Sequence, residues 1–319
     1  MKFCFIIEEQ YANDSMPTIV SNQLLQWGHN VDILVPQSTI TSLSDLPKQH
    51  YDAYVLKTVS DGPGLSLLEA AEAADIPTIN RSWAIRRVRD KTIAVTMAHA
   101  HGIPVPTTYF MAHPGLLNQV PAEQFPLVVK PTNGSSCRMI HYIDSPSALE
   151  KLEFDPAINN FWLAQHYEAN IGFDTKLYVA GTQVFAVAKR SPLHPEIEVE
   201  KQPVEVSPQL RALALEVGRL FGLDIYGLDV VETEKGPMVV DINDFPSFGN
   251  VPDAEKLIAA CVIETALRMK QQSPLYTISA TQPSVHLLTS FSLYPAPIQK
   301  ESSILDSVHS SQEVHLVNR

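Results

Sequence analysis

Phe3–Ile7 is an unbroken apolar and aromatic run that stops at Glu8-Glu9. It is too short for a membrane span or the apolar stretch of a signal peptide, and it reads as a strand. The next eighty residues set the fold class. Pro17–Trp27 carries Ile19, Leu24 and Leu25 on helical spacing and is stopped by Gly28; a second strand spans Val31–Val35 and a third Tyr51–Leu56. Gly62-Pro63-Gly64 opens a helix over Leu65–Ala74, and Asp75-Ile76-Pro77-Thr78 turns into a short strand. Strand and helix alternating in this order predict a small parallel, doubly wound sheet over residues 1–88, with ligands beyond the carboxyl ends of its strands.

Past this segment the texture changes. A helical pattern over Lys91–His101 ends at Gly102, before Pro104 and Pro106. Strands are then predicted at Leu127–Lys130, Met139–Ile143, Phe161–Gln165, Thr175–Val179 and Val184–Ala188, with Gly181-Thr182 as a hairpin turn between the last two. A helix over Pro208–Phe221 stops at Gly222, the strands Tyr226–Val231 and Met238–Ile242 flank the turn at Glu234-Lys235-Gly236, and a last helix spans Asp253–Met269. Residues 271–319 are rich in Ser, Gln, Pro and Thr without a period, which predicts a disordered tail; Leu287, Leu288 and Phe291 are its candidates for docking on the body.

Charge and cysteine content narrow the functional classes. Lys and Arg number 23 against 35 Asp and Glu, a formal net charge of −12, which argues against a general grip on nucleic acid or an anionic membrane. Cys4, Cys137 and Cys261 stand far apart and in no metal-ligand spacing, so a disulfide framework or structural zinc site is not expected, and a reducing, cytoplasmic compartment is.

Three features carry chemistry. Lys91 and Lys130 lie in separate segments, the small polar loop Thr132-Asn133-Gly134-Ser135-Ser136 comes after the second, and Asp229, Asp241 and Asn243 come late in the chain. Ammonium groups on flexible stems suit phosphate oxygens, and a Gly/Ser loop offers backbone N–H groups. Carboxylate and amide oxygens suit magnesium. Asp241 and Asn243, at i and i+2 on one strand, share a sheet face, and Asp229 sits on the preceding strand, so the three can converge. Together they suggest a nucleoside triphosphate with a metal. The basic run Arg81, Arg86, Arg87, Arg89 and Lys91 would suit a polyphosphate substrate, although consecutive helical arginines cannot all face one site. Arg81 with Gly62-Pro63-Gly64 could equally bind an amino-acid carboxylate.

The segments RDKTIAVTMAHAHGIPVPTT, FPLVVKPTNGSS, WLAQHYEANIGFDTKLYVAG and YGLDVVETEKGPMVVDINDFPSFGNVPDA, in this order, resemble the lysine helix, phosphate-lysine strand and loop, adenine hinge and metal hairpin of the ATP-grasp superfamily. Asp229 and Asp241 stand 12 residues apart, as in RimK-type members. The resemblance implies a mixed α/β fold with α+β subdomains: an N-terminal doubly wound domain (1–88), a lysine and loop subdomain (89–165), a metal-binding subdomain (166–270) and the tail (271–319). It further implies that Lys91, Lys130 and Ser135 hold the triphosphate, that Gln165, His166 and Tyr167 face adenine, and that Asp174 and Lys176 lie near ribose and phosphate. Asp229, Asp241 and Asn243 would bind Mg²⁺, with Mn²⁺ as an alternative ion, and Arg190 with Lys176 would act on the transferring phosphate. Two positions depart from the family pattern: His166 stands where the hinge usually has Glu, and Asp241 where the metal strand usually has Glu.

RimK-type ligases use ATP to activate a carboxylate for attack by an amine, so the implied partners are a small-molecule or peptide carboxylate and an amine, with neither nucleic acid nor membrane, in a chain compatible with a homo-oligomer. The alternative is a kinase acting on a hydroxyl, since DTKLYVAG, KRSPL and DINDFPSF also resemble inositol polyphosphate kinases of the same superfamily.

Overall fold

A computed structural model of the chain describes residues 1–57, 62–132, 140–151, 161–169, 173–191, 193 and 199–272. The tail, the loop containing Ser135 and the start of the strand expected at Met139 lie outside the described residues. Among the described residues no helix is long and apolar enough to cross a membrane.

The N-terminal layer is parallel. β1 (Lys2–Ile7), β2 (Asn30–Leu34), β3 (Ala53–Lys57) and β4 (Thr78–Ile79) lie in the order β2-β1-β3-β4. β1 and β3 are buried on both faces, as strands covered by helices on either side must be. α1 (Ser15–Gln26) is capped by Asp14, whose Oδ1 accepts from Met16 N at 3.0 Å, and the chain leaves it through Gly28 at φ +82. α2 (Pro63–Ala73) begins after Gly62, with Pro63 at its first position. α3 (Ser82–Arg89), which the periodicity did not predict, joins through the single residue Asp90 to α4 (Lys91–Ala100). Its buried residues Ala84, Ile85 and Val88 carry the helical signal, in a segment whose other residues are mostly arginine.

Two antiparallel sheets come next. One has the order β5-β8-β6-β7, from β5 (Thr108–Met111), β6 (Leu127–Pro131), β7 (His141–Ile143) and β8 (Trp162–His166). The other has the order β11-β10-β9-β12-β13, from β9 (Phe173–Ala180), β10 (Gln183–Arg190), β11 (Gln202–Val204), β12 (Ile225–Thr233) and β13 (Gly236–Asp244). α5 (Pro208–Phe221) begins at a Ser207 cap and ends at Gly222, which is left-handed at φ +72 and has the Trp83 ring so close that a Cβ would lie 2.3 Å from it. α6 (Ala254–Gln272) closes the described body.

The five-stranded sheet is buried on both faces, and each face has its own partners. Leu177, Val179, Ala186, Tyr226 and Leu228 pack with α5, with Ala84 and Val88 of α3, and with Ala94 and Ala98 of α4. Tyr178, Ala180, Val187 and Ile225 pack with α6 and with Phe3, Phe5, Ile7 and Val55 of the parallel layer. The N-terminal sheet therefore shares one continuous core with the five-stranded sheet.

A single side chain fastens that shared core at a point of backbone need. Buried Asn80, just after β4, accepts from Asp224 N and Ile225 N through Oδ1 at 2.8 Å each and donates to Ile225 O at 2.6 Å. Asn80→Ala leaves two backbone N–H groups at the start of β12, those of Asp224 and Ile225, without their acceptor, while Ile225 O keeps Phe245 N; we expect a loss of roughly 2–6 kcal/mol, at about 1–3 kcal/mol for each buried group left unsatisfied. The midpoint of urea unfolding measures it, and an unchanged midpoint would contradict the role.

Candidate active site

Strand alternation builds the site. Asp229 stands directly opposite Lys176 on β9 and Asp241 on β13, and Lys189 stands opposite Asp174. All five, with Asn243 two residues beyond Asp241, therefore lie on one face of the sheet. Lys176 Nζ lies 2.8 Å from Asp229 Oδ2 and Lys189 Nζ 2.6 Å from Asp229 Oδ1, while Asn243 Nδ2 donates to Asp229 Oδ2 at 3.3 Å. Two further lysines arrive from outside the sheet: Lys91, first residue of α4, bonds Asp241 Oδ1, and Lys130 of β6 donates to Val240 O at 2.8 Å.

The carboxylates are shaped by their neighbours. Burial alone would push the Asp229 carboxyl up, but Lys176 and Lys189 outweigh it and hold the group well below the usual carboxylate range. Asp241 is likewise lowered: burial and nearby Asp229 push it up, and Lys91 and Lys130 more than compensate. Both are anionic at neutral pH. The donor set fits a hard divalent cation, since two ionised carboxylates oppose each other across a strand pair with an amide oxygen source on the same face. Four ammonium groups around these acids leave a cationic surplus suited to a polyphosphate.

Between α4, the β5–β8 sheet and the outer edge of β13 runs a cleft lined by Lys91, Lys130, Asp241 and the largely apolar set Val95, Leu163, Val239 and Ile242, with Gln165 among them. The free space within it measures about 20 Å³, room for a single water.

The other expected residues divide. Asp174 is buried on the carboxylate face. Gln165 donates through Nε2 to Thr108 Oγ1 at 3.0 Å and lines the cleft. The backbone amides of His166 and Tyr167 donate to Thr107 O and Pro126 O, at 2.8 and 2.9 Å, and the His166 ring contacts Gln124 O through Nδ1 at 2.8 Å. Arg190 ends β10 opposite Phe173, one residue beyond Lys189.

Lys189 is the residue that sequence reasoning missed. The signal was present: counting outward from the Gly181-Thr182 turn puts Lys189 opposite Asp174 and on the face of Lys176. The basic run also divides: Arg86 pairs with Glu69, Arg87 lies 4.5 Å over the Trp83 ring, Arg81 lies 3.5 Å from Glu72, Arg89 holds Asp244, and Lys91 reaches Asp241.

Residues 88–265 match the model of the RimK-like ATP-grasp domain, and the chain belongs to that family. A probable alpha-L-glutamate ligase of Legionella pneumophila (strain Corby) is 28% identical over 68% of this chain and 76% of its own length. One from Aeromonas salmonicida (strain A449) is 29% identical over 74% and 87%. The structure of the ATP-grasp ligase PsnB with minimal precursor, Mg and ADP superposes with a TM-score of 0.63 at 17% identity, covering 83% of this chain and 97% of that one. These relatives are ligases, and they lend the kinase alternative no support.

The lowered carboxyl of Asp229 has a signed consequence for stability. A depressed native value contributes stabilisation above the unfolded value of about 4, lost as pH falls through the native one. The gap in melting temperature between the parent and Asp229→Asn is therefore expected to be widest near pH 7 and to shrink below about pH 4. Thermal melts across that range check it; a gap independent of pH would refute the pairing.

Proposed function

We propose that the cleft binds Mg-ATP and that the chain, a RimK-type ATP-grasp ligase, uses it to join a carboxylate to an amine. The observation that carries this reading is the meeting of Asp229, Asp241 and Asn243 with lysines from α4, β6, β9 and β10 at one point. Lys91, Lys130, Lys176 and Lys189 would turn from their carboxylate and carbonyl partners to phosphate oxygens. Asp229, Asp241 and Asn243 would hold Mg²⁺, with Mn²⁺ as a substitute on the same oxygen donors. When bound, the metal supplies neutralisation of phosphate charge. A purine is larger than the free space beside Val95 and Leu163, so nucleotide entry requires the cleft to widen.

The chemistry is that of the family. An oxygen of the substrate carboxylate attacks the terminal phosphorus, the bond to ADP breaks, and an acyl phosphate results. The amine nitrogen then attacks the acyl carbon, phosphate leaves with the bonding pair, and the nitrogen loses a proton to give the amide. The lysines meet the charge that develops on phosphate, which positions and neutralises without supplying a nucleophile. In this reading Lys189 joins Lys176 at the phosphates, and Arg190 beside it is the cation that faces the transferring group. The names of the Legionella and Aeromonas relatives point to glutamate as one of the two substrates. An ATP-consuming reaction and the two buried free thiols, Cys4 and Cys261, suit the cytoplasm.

Hydroxylamine tests the acyl phosphate. Supplied with ATP, magnesium and glutamate or a pool of carboxylates, it should be converted to a hydroxamate with ADP released in step; a stable phosphate ester indifferent to hydroxylamine would overturn the ligase reading in favour of a kinase. Lys130→Ala should leave the fold intact and weaken ATP binding by about 1.5–3 kcal/mol, the worth of one charge-assisted contact, as read by calorimetry. Equal affinity in parent and variant would remove Lys130 from the site.

A further inference from the structure

The metal-bearing hairpin is irregular where it matters. Its ladder slips between Asp229 and Val230, so that Val240 has no opposite number and the pairing of Asp229 with Asp241 is not dictated by the regular ladder toward the turn at residues 234–235. The register of the acidic end has to be set from the open end of the hairpin, and there the N-terminal layer takes hold. Arg89, the last residue of α3, forks Asp244: Nε to Oδ1 and Nη2 to Oδ2, both at 2.8 Å, with side-chain exposures of 11% and 8%. Lys57, the last residue of β3, donates to Phe245 O at 2.5 Å and lies 3.3 Å from Asp14 Oδ2, between the rings of Tyr11 and Phe245. Asn80 holds the opposite strand at Asp224 and Ile225, and Phe245 N closes the end by donating to Ile225 O at 3.2 Å.

We propose that Arg89 and Lys57 are positioning residues for the metal site: they clasp residues 244 and 245 and so fix the angle at which the neighbouring Asn243, and Asp241 two residues before it, present their oxygens. This rests on the reading of Asp229, Asp241 and Asn243 as metal ligands. The fork is the discriminating element. A guanidinium satisfies both oxygens of Asp244 in one plane and thereby fixes the rotation of the strand end, whereas an ammonium at the same place supplies the charge without the plane. Neither Arg89 nor Lys57 is assigned contact with nucleotide or substrate; they act through the hairpin.

The test is a titration of the full-length protein with Mn²⁺ in the presence of ADP, monitored by electron paramagnetic resonance, alongside ADP binding in EDTA and thermal melts. Arg89→Lys and Asp244→Asn should each weaken Mn²⁺ binding by about tenfold or more, the loss usual when a partner orienting a metal ligand is removed, while ADP affinity without metal stays within about twofold of the parent. Lys57→Met should weaken Mn²⁺ in the same direction. Arg89→Lys keeps the charge, so full Mn²⁺ affinity in that variant and in Asp244→Asn would overturn the clasp, as would a loss of ADP affinity equal to the loss of Mn²⁺. Should Arg89→Ala fail to fold, those two milder variants still decide. Asp241→Asn in the same titration separates the two claims: if it abolishes Mn²⁺ binding while Arg89→Lys does not alter it, the metal site stands and the clasp falls; if Asp241→Asn leaves Mn²⁺ binding unchanged, the metal reading fails and the clasp with it.

Discussion

Charges taken out of water have to be compensated by other charges, and in this protein that requirement falls on six side chains at once. Lys91, Lys130, Lys176 and Lys189 converge on Asp229, Asp241 and the adjacent carbonyl of Val240. Removing one member strands its partner in a poorly solvated place, which costs more than the pair contributes. Six elements, α4, β6, β9, β10, β12 and β13, each deliver one charge. Their packing, from the apolar faces of α4 and α5 to the two-sided burial of β9, is the scaffold that holds such a meeting together.

The same requirement explains why the N-terminal layer is built into the body. A doubly wound sheet of four short strands has a ready core of its own on one side, around Leu56, Leu65 and Leu68. On the other side its residues Phe3, Phe5 and Val55 continue into those of the hairpin sheet and α6. Cutting between residues 88 and 91 would expose that face and would also sever the links that Asn80, Lys57 and Arg89 make to β12 and β13.

Much of this was readable in advance where the physics is local. The period of two along β13 puts Asp241 and Asn243 on one face, and Gly222 marks the end of α5. Chemistry that depends on distant pairing was less legible. Arg89 and Asp244 are separated by 155 residues, and nothing near either announces the other. Arg190 is named by resemblance to a basic position of the family, whereas the face of its neighbour Lys189 follows only from the count outward from the Gly181-Thr182 turn. The short, arginine-rich α3 was hidden because its three buried apolar residues are few among charges. His166 and Tyr167 were placed by resemblance, and their amides are engaged by Thr107 and Pro126, partners that propensity cannot foresee.

Arg89, Asp90 and Lys91 are consecutive, and each is committed to a different place: the fork on Asp244, the cap on Thr92 N and Ile93 N, and the bond to Asp241. Each side chain sets one contact; the length of the chain sets all three at once. One residue added or deleted here would turn everything on one side by about 100° relative to the other, given 3.6 residues per turn. The joint between α3 and α4 therefore acts as a ruler: its length, as much as its side chains, sets the rotation at which the Arg89 fork and Lys91 both meet β13.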